Sequence, residues 1–307
     1  MSAAPDLDPV FTTARARAAG LSRRELESGP YRQVVRGVYA RARVSDRAWV
    51  DARAALLVAA VDEAWVSHHT AARLYGAVVP DTCQLHVCVP PTVKRRRREG
   101  VVVHWGTGQH LRFRGLRVAS PAQVFLELSR SLELVDLVVL GDSLVRRGRC
   151  SPADLHAAAA AWSGRGARMA RRAAGLVRAG VDSPMETRCR LLRVLAGLPE
   201  LETDVRLHDA DGRLLRRLDA ADRATRTAVE YDGRHHVTRE EQWEADLGRR
   251  EELEDADWRI MTLVSKDIFA TPEQTLERQE RLFRQRGIPV GRRSQEWRRY
   301  FRGRGHA

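Results

Sequence analysis

Two hydrophobic periods alternate along this chain, and the places where one gives way to the other outline its elements. Helical spacing opens the chain over residues 11–20. It returns behind Ser22 over 23–28, where Ser22 and Glu25 have capping-box spacing. Gly29-Pro30 ends that helix, and residues 31–40 (YRQVVRGVYA) alternate as a hairpin centred on Gly37. Two helices, a third short turn and this β wing predict a winged helix-turn-helix module. Helices follow over 49–61 and 67–75, then strands over 84–90, 101–105 and 112–118. Further helices are expected over 122–132, 134–147 and 152–178, the last interrupted at Gly164-Arg165-Gly166.

A second series begins at Val181. Asp182 or Ser183 caps a helix with Pro184 in its first turn, and the helix ends at Gly197. Apolar β segments follow at 204–208, 214–220 and 227–231, with Asp211-Gly212 as a hairpin signal between the first two. A helix at 240–256, a strand at 258–264 and a helix at 272–286 complete the chain. The order α-β-β-β-α-β-α predicts a mixed sheet flanked by helices, so the fold class is α/β in the broad sense that includes α+β. The expected division is a winged-helix DNA-binding module at 1–80 and an α+β linking region with a basic loop at 81–180. A domain built on this mixed sheet at 181–290 and a basic tail at 291–307 follow.

Charge placement changes this picture more than composition does. The 307 residues carry a net +13. Residues 1–180 hold 28 basic against 15 acidic side chains, residues 181–277 hold 15 against 23, and residues 278–307 hold 10 against 2. An acidic module between two basic ones suits a protein whose basic parts hold phosphates while its acidic part needs a cation to approach them. No apolar run approaches a membrane span, and the first ten residues do not read as a signal peptide. Cys83, Cys88, Cys150 and Cys189 lack CxxC spacing and read as small buried residues in a reducing cytoplasm.

The candidate chemistry lies in the acidic module. Glu186 opens a helix, Asp219 ends one apolar segment, and Glu230 ends another, with Asp232, His235 and His236 just behind it. Alternation along a strand puts Glu230 and Asp232 on one side, where two carboxylates repel unless a cation sits between them. Hard divalent ions take such oxygen ligands, and Mg²⁺ (or Mn²⁺) held this way activates water for displacement at phosphorus.

These residues carry a resemblance. Asp182-Ser183-Pro184-Met185-Glu186, Leu218-Asp219, Glu230-Tyr231-Asp232-Gly233 with His236, Asp246 with Arg249, and Leu253 with Trp258 resemble the restriction-endonuclease-like, PD-(D/E)xK superfamily. Within it they resemble an actinobacterial domain related to the Vsr mismatch-repair endonucleases. The resemblance implies a restriction-endonuclease-like mixed sheet and a metal-binding pair of Asp219 and Glu230, with Glu186 in support. Asp232 stands where the superfamily usually has lysine, and it joins the expected metal ligands. An aspartate offers no positive charge to the scissile phosphate, so His236 or His235 becomes the expected general base. Asp257 and Thr262 also depart from the usual glycine and arginine. The implied function is a Mg²⁺-dependent endonuclease. The alternative is a DNA-binding regulator or antitoxin with an inactive nuclease fold.

The N-terminal module has its own resemblance. Phe11-Thr12, Gly20-Leu21-Ser22, Leu26 and Val35-Arg36-Gly37-Val38-Tyr39 resemble the winged helix of AbiEi-type abortive-infection antitoxins, continued by Ser67 to Ala72 and Leu85-His86-Val87. It implies double-stranded DNA as partner. Arg23, Arg24, Arg32 and Arg36 are the expected contacts, or else a solvated face. The run Lys94, Arg95, Arg96, Arg97 and Arg98 is either a phosphate-tracking loop or a hairpin tip. His68-His69 has the look of a metal pair but lacks a third ligand, and it reads as a helix-capping or core pair. The tail from Trp297 to Arg302 either stacks on nucleic acid or frays.

Overall fold

The structure, a computed structural model, describes residues 7–94, 98–208, 211–233 and 256–303. It is a mixed α+β protein in two compact units, residues 1–132 with 147–175, and residues 133–146 with 176–307.

The first unit opens on β1 (Val10–Thr12), α1 (Thr13–Ala18) and α2 (Arg23–Ser28), followed by the hairpin β2 (Tyr31–Val35) and β3 (Val38–Arg41). The capping box forms as its spacing predicts: Ser22 Oγ accepts from Glu25 N at 3.3 Å, and Glu25 Oε2 accepts from Ser22 N at 2.8 Å. Gly37 makes the turn at φ +81°, a conformation that costs glycine nothing. The short β1, too brief to show as alternation, joins this hairpin in the order β1-β3-β2.

Next come α3 (Arg47–Ala59), β4 (Trp65–Val66), α4 (His68–Leu74), β5 (Leu85–Val89), β6 (Val101–Trp105), β7 (His110–Phe113), β8 (Leu116–Ala119) and α5 (Pro121–Leu128). The strands form one sheet in the order β6-β5-β4-β8-β7, with β5 and β6 parallel. The expected boundary after residue 80 does not appear. One apolar core joins Val10, Val38 and Ala40 to Val50, Ala54, Leu85, Val87 and Val101, because α3 buries a face against both sheets. The single strand expected at 112–118 is a hairpin, turned at Arg114-Gly115. Two helices, α7 (Pro152–Ala161) and α8 (Ala167–Leu176), replace the interrupted stretch.

The second unit takes α6 (Leu134–Arg146) from before the expected boundary and adds α9 (Pro184–Leu195). Buried charge explains the reassignment. Asp142 of α6 and Arg190 of α9 pair at 2.8 Å, each only 2% exposed. Asp142 also accepts from Thr187 Oγ1 at 2.9 Å and from the backbone N of Arg178 at 2.8 Å. The sheet of this unit has the order β12-β11-β10-β9, built from β9 (Glu202–His208), β10 (Leu214–Asp222), β11 (Thr227–Tyr231) and β12 (Arg259–Leu263). β9, β10 and β11 are antiparallel neighbours, whereas β11 and β12 run parallel.

Helices α10 (Ser265–Phe269) and α11 (Pro272–Gln285) and a 3₁₀ turn (Glu296–Arg299) follow. The tail neither frays nor offers its aromatics for stacking. Trp297 and Phe301 are 2% and 4% exposed, and the turn packs on α9. Cys83 is exposed, against the expectation of four buried thiols, while Cys88 and Cys189 are buried. The helix expected at 240–256 lies outside the described residues for all but its last position.

Candidate active site

Ser183 is the cap that fixes the start of α9: its Oγ accepts from Glu186 N at 3.1 Å. Glu186 in turn accepts the Asp182 backbone N–H at 2.8 Å through Oε2. This arrangement holds the Glu186 carboxylate at the helix start. There it lines a pocket with Val181, Cys189, Arg193, Asp219 and Tyr231.

Asp219 is the pivot of the pocket. The ladder between β10 and β11 is registered from Ala220 opposite Val229. One residue before it, the Asp219 carboxylate accepts the Tyr231 backbone N–H at 2.8 Å. Burial pushes the Asp219 carboxyl up to about 7. The hydrogen bond from Tyr231 opposes that rise, while the charges of Glu186 and Glu230 add to it.

The folded chain therefore keeps a proton that the unfolded chain releases around the ordinary value of 3.8. Between those two values the native state binds more protons, so the site's contribution to stability is complete below 3.8 and is lost as pH rises through about 7. Asp219→Asn should remove that slope. Thermal melts should show wild type and variant nearly alike near pH 4, and the variant higher by roughly 5–10 °C at pH 8. Parallel melting curves across the range would contradict the assignment.

Glu230 is placed differently from expectation. Its carboxylate pairs with Arg216 of β10 at 2.6 Å. Thr262, at the departure from the usual arginine, is registered beside Glu230 on β12. A guanidinium thus reaches Glu230 from the other neighbouring strand. β11 ends at Tyr231, so Asp232 follows the strand instead of alternating within it. Its side chain is exposed, and its backbone N donates to Leu263 O at 2.8 Å. Among the described residues, the trio of His, Cys, Asp or Glu ligand atoms within 4.8 Å of one another is His68, His86 and His104, so no three of these carboxylates gather within that distance. His235, His236, Asp246, Arg249 and Leu253 lie outside the described residues. Asp257 explains its own departure: at φ +57° it adopts a glycine-like conformation, held by Arg286, which donates to its carboxylate at 3.0 and 3.2 Å.

Glu186 and Asp219 offer the oxygens that a hard divalent ion takes, in a pocket that Cys189 and the buried Arg190 and Arg193 also line. The strongest fit is at Asp219, a carboxylate whose ionised form is opposed by burial and by two neighbouring carboxylates. A cation would reverse all three effects. Asp219 and Glu186 already share the pocket, whereas Glu230 would join by exchanging Arg216 for the ion.

The expected DNA contacts fall in the first unit. Arg23 and Arg24 are exposed on α2, and Arg23 pairs with Glu27 at 2.8 Å. Arg36 lies on the hairpin turn, 3.6 Å from Glu99. Arg32 is half-buried, and its Nη2 is buried without a hydrogen-bond partner, so it is built into β2 rather than offered to solvent. Lys94 and Arg98 are exposed, and Arg95, Arg96 and Arg97 lie outside the described residues.

No protein-family model matches the chain. Over 205 residues it is 29% identical to the uncharacterized proteins MT2308 and Rv2248 of Mycobacterium tuberculosis, covering 66% of this chain and 75% of each relative. Among solved structures it is similar to the Rv2827c protein of the same organism, with a TM-score of 0.35 and 19% identity over 65% of this chain and 80% of the other. Among the described residues no helix is long and apolar enough to cross a membrane.

Proposed function

We propose that this is a cytoplasmic protein that binds double-stranded DNA through its first unit and hydrolyses phosphodiesters with Mg²⁺ or Mn²⁺ in its second. The observation that carries the reading is the Asp219 carboxylate, buried in a pocket with Glu186 and raised further by Glu230. The sheet order and the helix that precedes it accord with the Vsr-like resemblance. The order β1-β3-β2, with α1 and α2 between β1 and β2, accords with the winged-helix resemblance.

In this reading Asp219 and Glu230 would hold the ion, Glu186 would support it, and Asp232, exposed just past β11, would be a further ligand. The ion, when bound, activates water and offsets charge on the phosphate. Asp219 is kept in place by the Tyr231 N–H, and Glu186 by the Asp182 N–H. Arg216 pairs with Glu230, so this carboxylate would have to exchange the guanidinium for the ion, and His236 would be the proton acceptor.

One observation favours a second reading, a regulator whose nuclease fold is inactive. The Arg216–Glu230 pair already neutralises one of the two expected ligands, and Asp232 brings no positive charge. Cleavage of duplex DNA by the purified chain in Mg²⁺, set beside Asp219→Asn, separates the two.

Phosphate attraction by the first unit has its own test. Replacing Lys94 to Arg98 with serine in the full chain should weaken duplex binding for all sequences alike. Each lost phosphate contact should flatten the log–log salt slope by about 0.9. An unchanged slope would make the run a solvated turn.

A further inference from the structure

The first unit gathers histidines that the nuclease reading does not use. His68 stands at the start of α4, His86 on β5 and His104 two register positions further along on β6. The two strands are parallel neighbours, so this diagonal puts both imidazoles on one face of the sheet. His86 Nδ1 and His104 Nε2 lie 3.0 Å apart, and the His68 ring stacks on His104 with centroids 3.8 Å apart. Of the sequence pair His68-His69 only His68 joins the trio, and two strands supply its other members.

Four further features point to a ligand. His86 is 9% exposed, and its Nε2 is buried without a hydrogen-bond partner, across the ring from the Nδ1 that meets His104, so the protein satisfies only part of this imidazole. His68 adopts φ +49°, a strained conformation for a residue with a Cβ. That conformation is held by Glu127, which accepts from His68 N at 3.0 Å. The Glu127 carboxylate also lies 3.3 Å from His68 Nδ1, which Ser67 Oγ approaches at 3.1 Å, so Nε2 is the ring nitrogen left for an ion.

We propose that His68, His86 and His104 bind a divalent transition-metal ion, zinc in the first instance, with Glu127 orienting His68 as its outer partner. Imidazole nitrogens suit zinc and its neighbours rather than Mg²⁺. A tetrahedral ion with bonds near 2.0–2.1 Å places its nitrogen ligands roughly 3.3 Å apart, close to the separation already set between His86 and His104. The stacked rings of His68 and His104 then fan apart by side-chain rotation. A carboxylate behind a ligating histidine is the usual arrangement that fixes its tautomer. Burial pushes His68 down to about 2 and His86 to about 3, so both rings are neutral at pH 7, as ligation requires. Burial also pushes Glu127 up to about 7, and a bound cation supplies the positive charge that this carboxylate lacks.

The test uses the full chain, stripped with a chelator and titrated with Co²⁺ as a spectroscopic probe and with Zn²⁺ in competition. The expected result is one tightly held ion at the histidines, apart from any ion in the carboxylate pocket, with the visible bands of a four-coordinate site of three nitrogens and a water. His104→Gln should weaken binding more than about 100-fold, and Glu127→Gln about 10-fold. Asp219→Asn should leave it unchanged, which separates this site from the carboxylate pocket. Absence of these bands, or equal affinity in His104→Gln, would overturn the proposal. Should His104→Gln not fold, the imidazole nitrogen resonances of the wild type decide. Shifts at three rings on adding Zn²⁺ support the site, and unmoved resonances overturn it.

Discussion

Asp142→Ala is expected to cost the second unit about 3–5 kcal/mol, the loss that follows when one partner of a buried ion pair is removed. Arg190 would keep Leu176 O at 2.8 Å and the more distant Glu200 at 3.4 Å, but it would lose the carboxylate that compensates its charge. Thr187 Oγ1 and the backbone N of Arg178 would lose an acceptor as well. A melting temperature lower by about 10 °C follows for a chain of this size. The double replacement Asp142→Leu with Arg190→Met should recover most of the loss, because both charges then leave together. A single variant that melts within a degree or two of wild type would show that the pair contributes little.

The second large effect concerns chemistry. Asp219→Asn keeps an oxygen for the Tyr231 N–H and removes the negative charge, so the fold should persist while cleavage falls. Glu186→Gln preserves the bond to Asp182 N and should act in the same direction, but less. Loss of an outer partner alone costs 10- to 100-fold at metal sites, so loss of a ligand at Asp219 should exceed about 100-fold. Duplex binding should be nearly unaffected in both variants, since the arginines that would provide it belong to the other unit. Cleavage that survives Asp219→Asn would place the chemistry elsewhere.

Much of this was legible in the sequence wherever the signal is local. The Ser22–Glu25 box, the Gly37 turn and the Ser183 cap read directly from residue spacing and appear as hydrogen bonds. Period-two segments became β5, β6 and β11 with bounds close to those expected. What escaped was set by partners distant in sequence. Asp142 and Arg190 are 48 positions apart, and neither helix pattern announces that its polar residue points inward. β1 and β4 are too short to alternate.

His86 and His104 each sit within an ordinary apolar strand, and only the parallel register brings them beside His68. A scan for histidines at one strand face would have raised them. The Glu230–Asp232 alternation loses its basis for a local reason: β11 ends at Tyr231, so Asp232 lies just past the strand. Arg216 escaped because the charge it meets lies on the adjacent strand.

The central claim is that Asp219 anchors a hard divalent cation. Calorimetric titration of Mg²⁺ into the full chain tests it most directly, because the imidazoles of the first unit have little affinity for that ion. The account predicts a saturable heat for one site, coupled to a higher melting temperature and to cleavage of duplex DNA, all absent in Asp219→Asn. Equal heats from wild type and variant, or no heat with no cleavage, would contradict it.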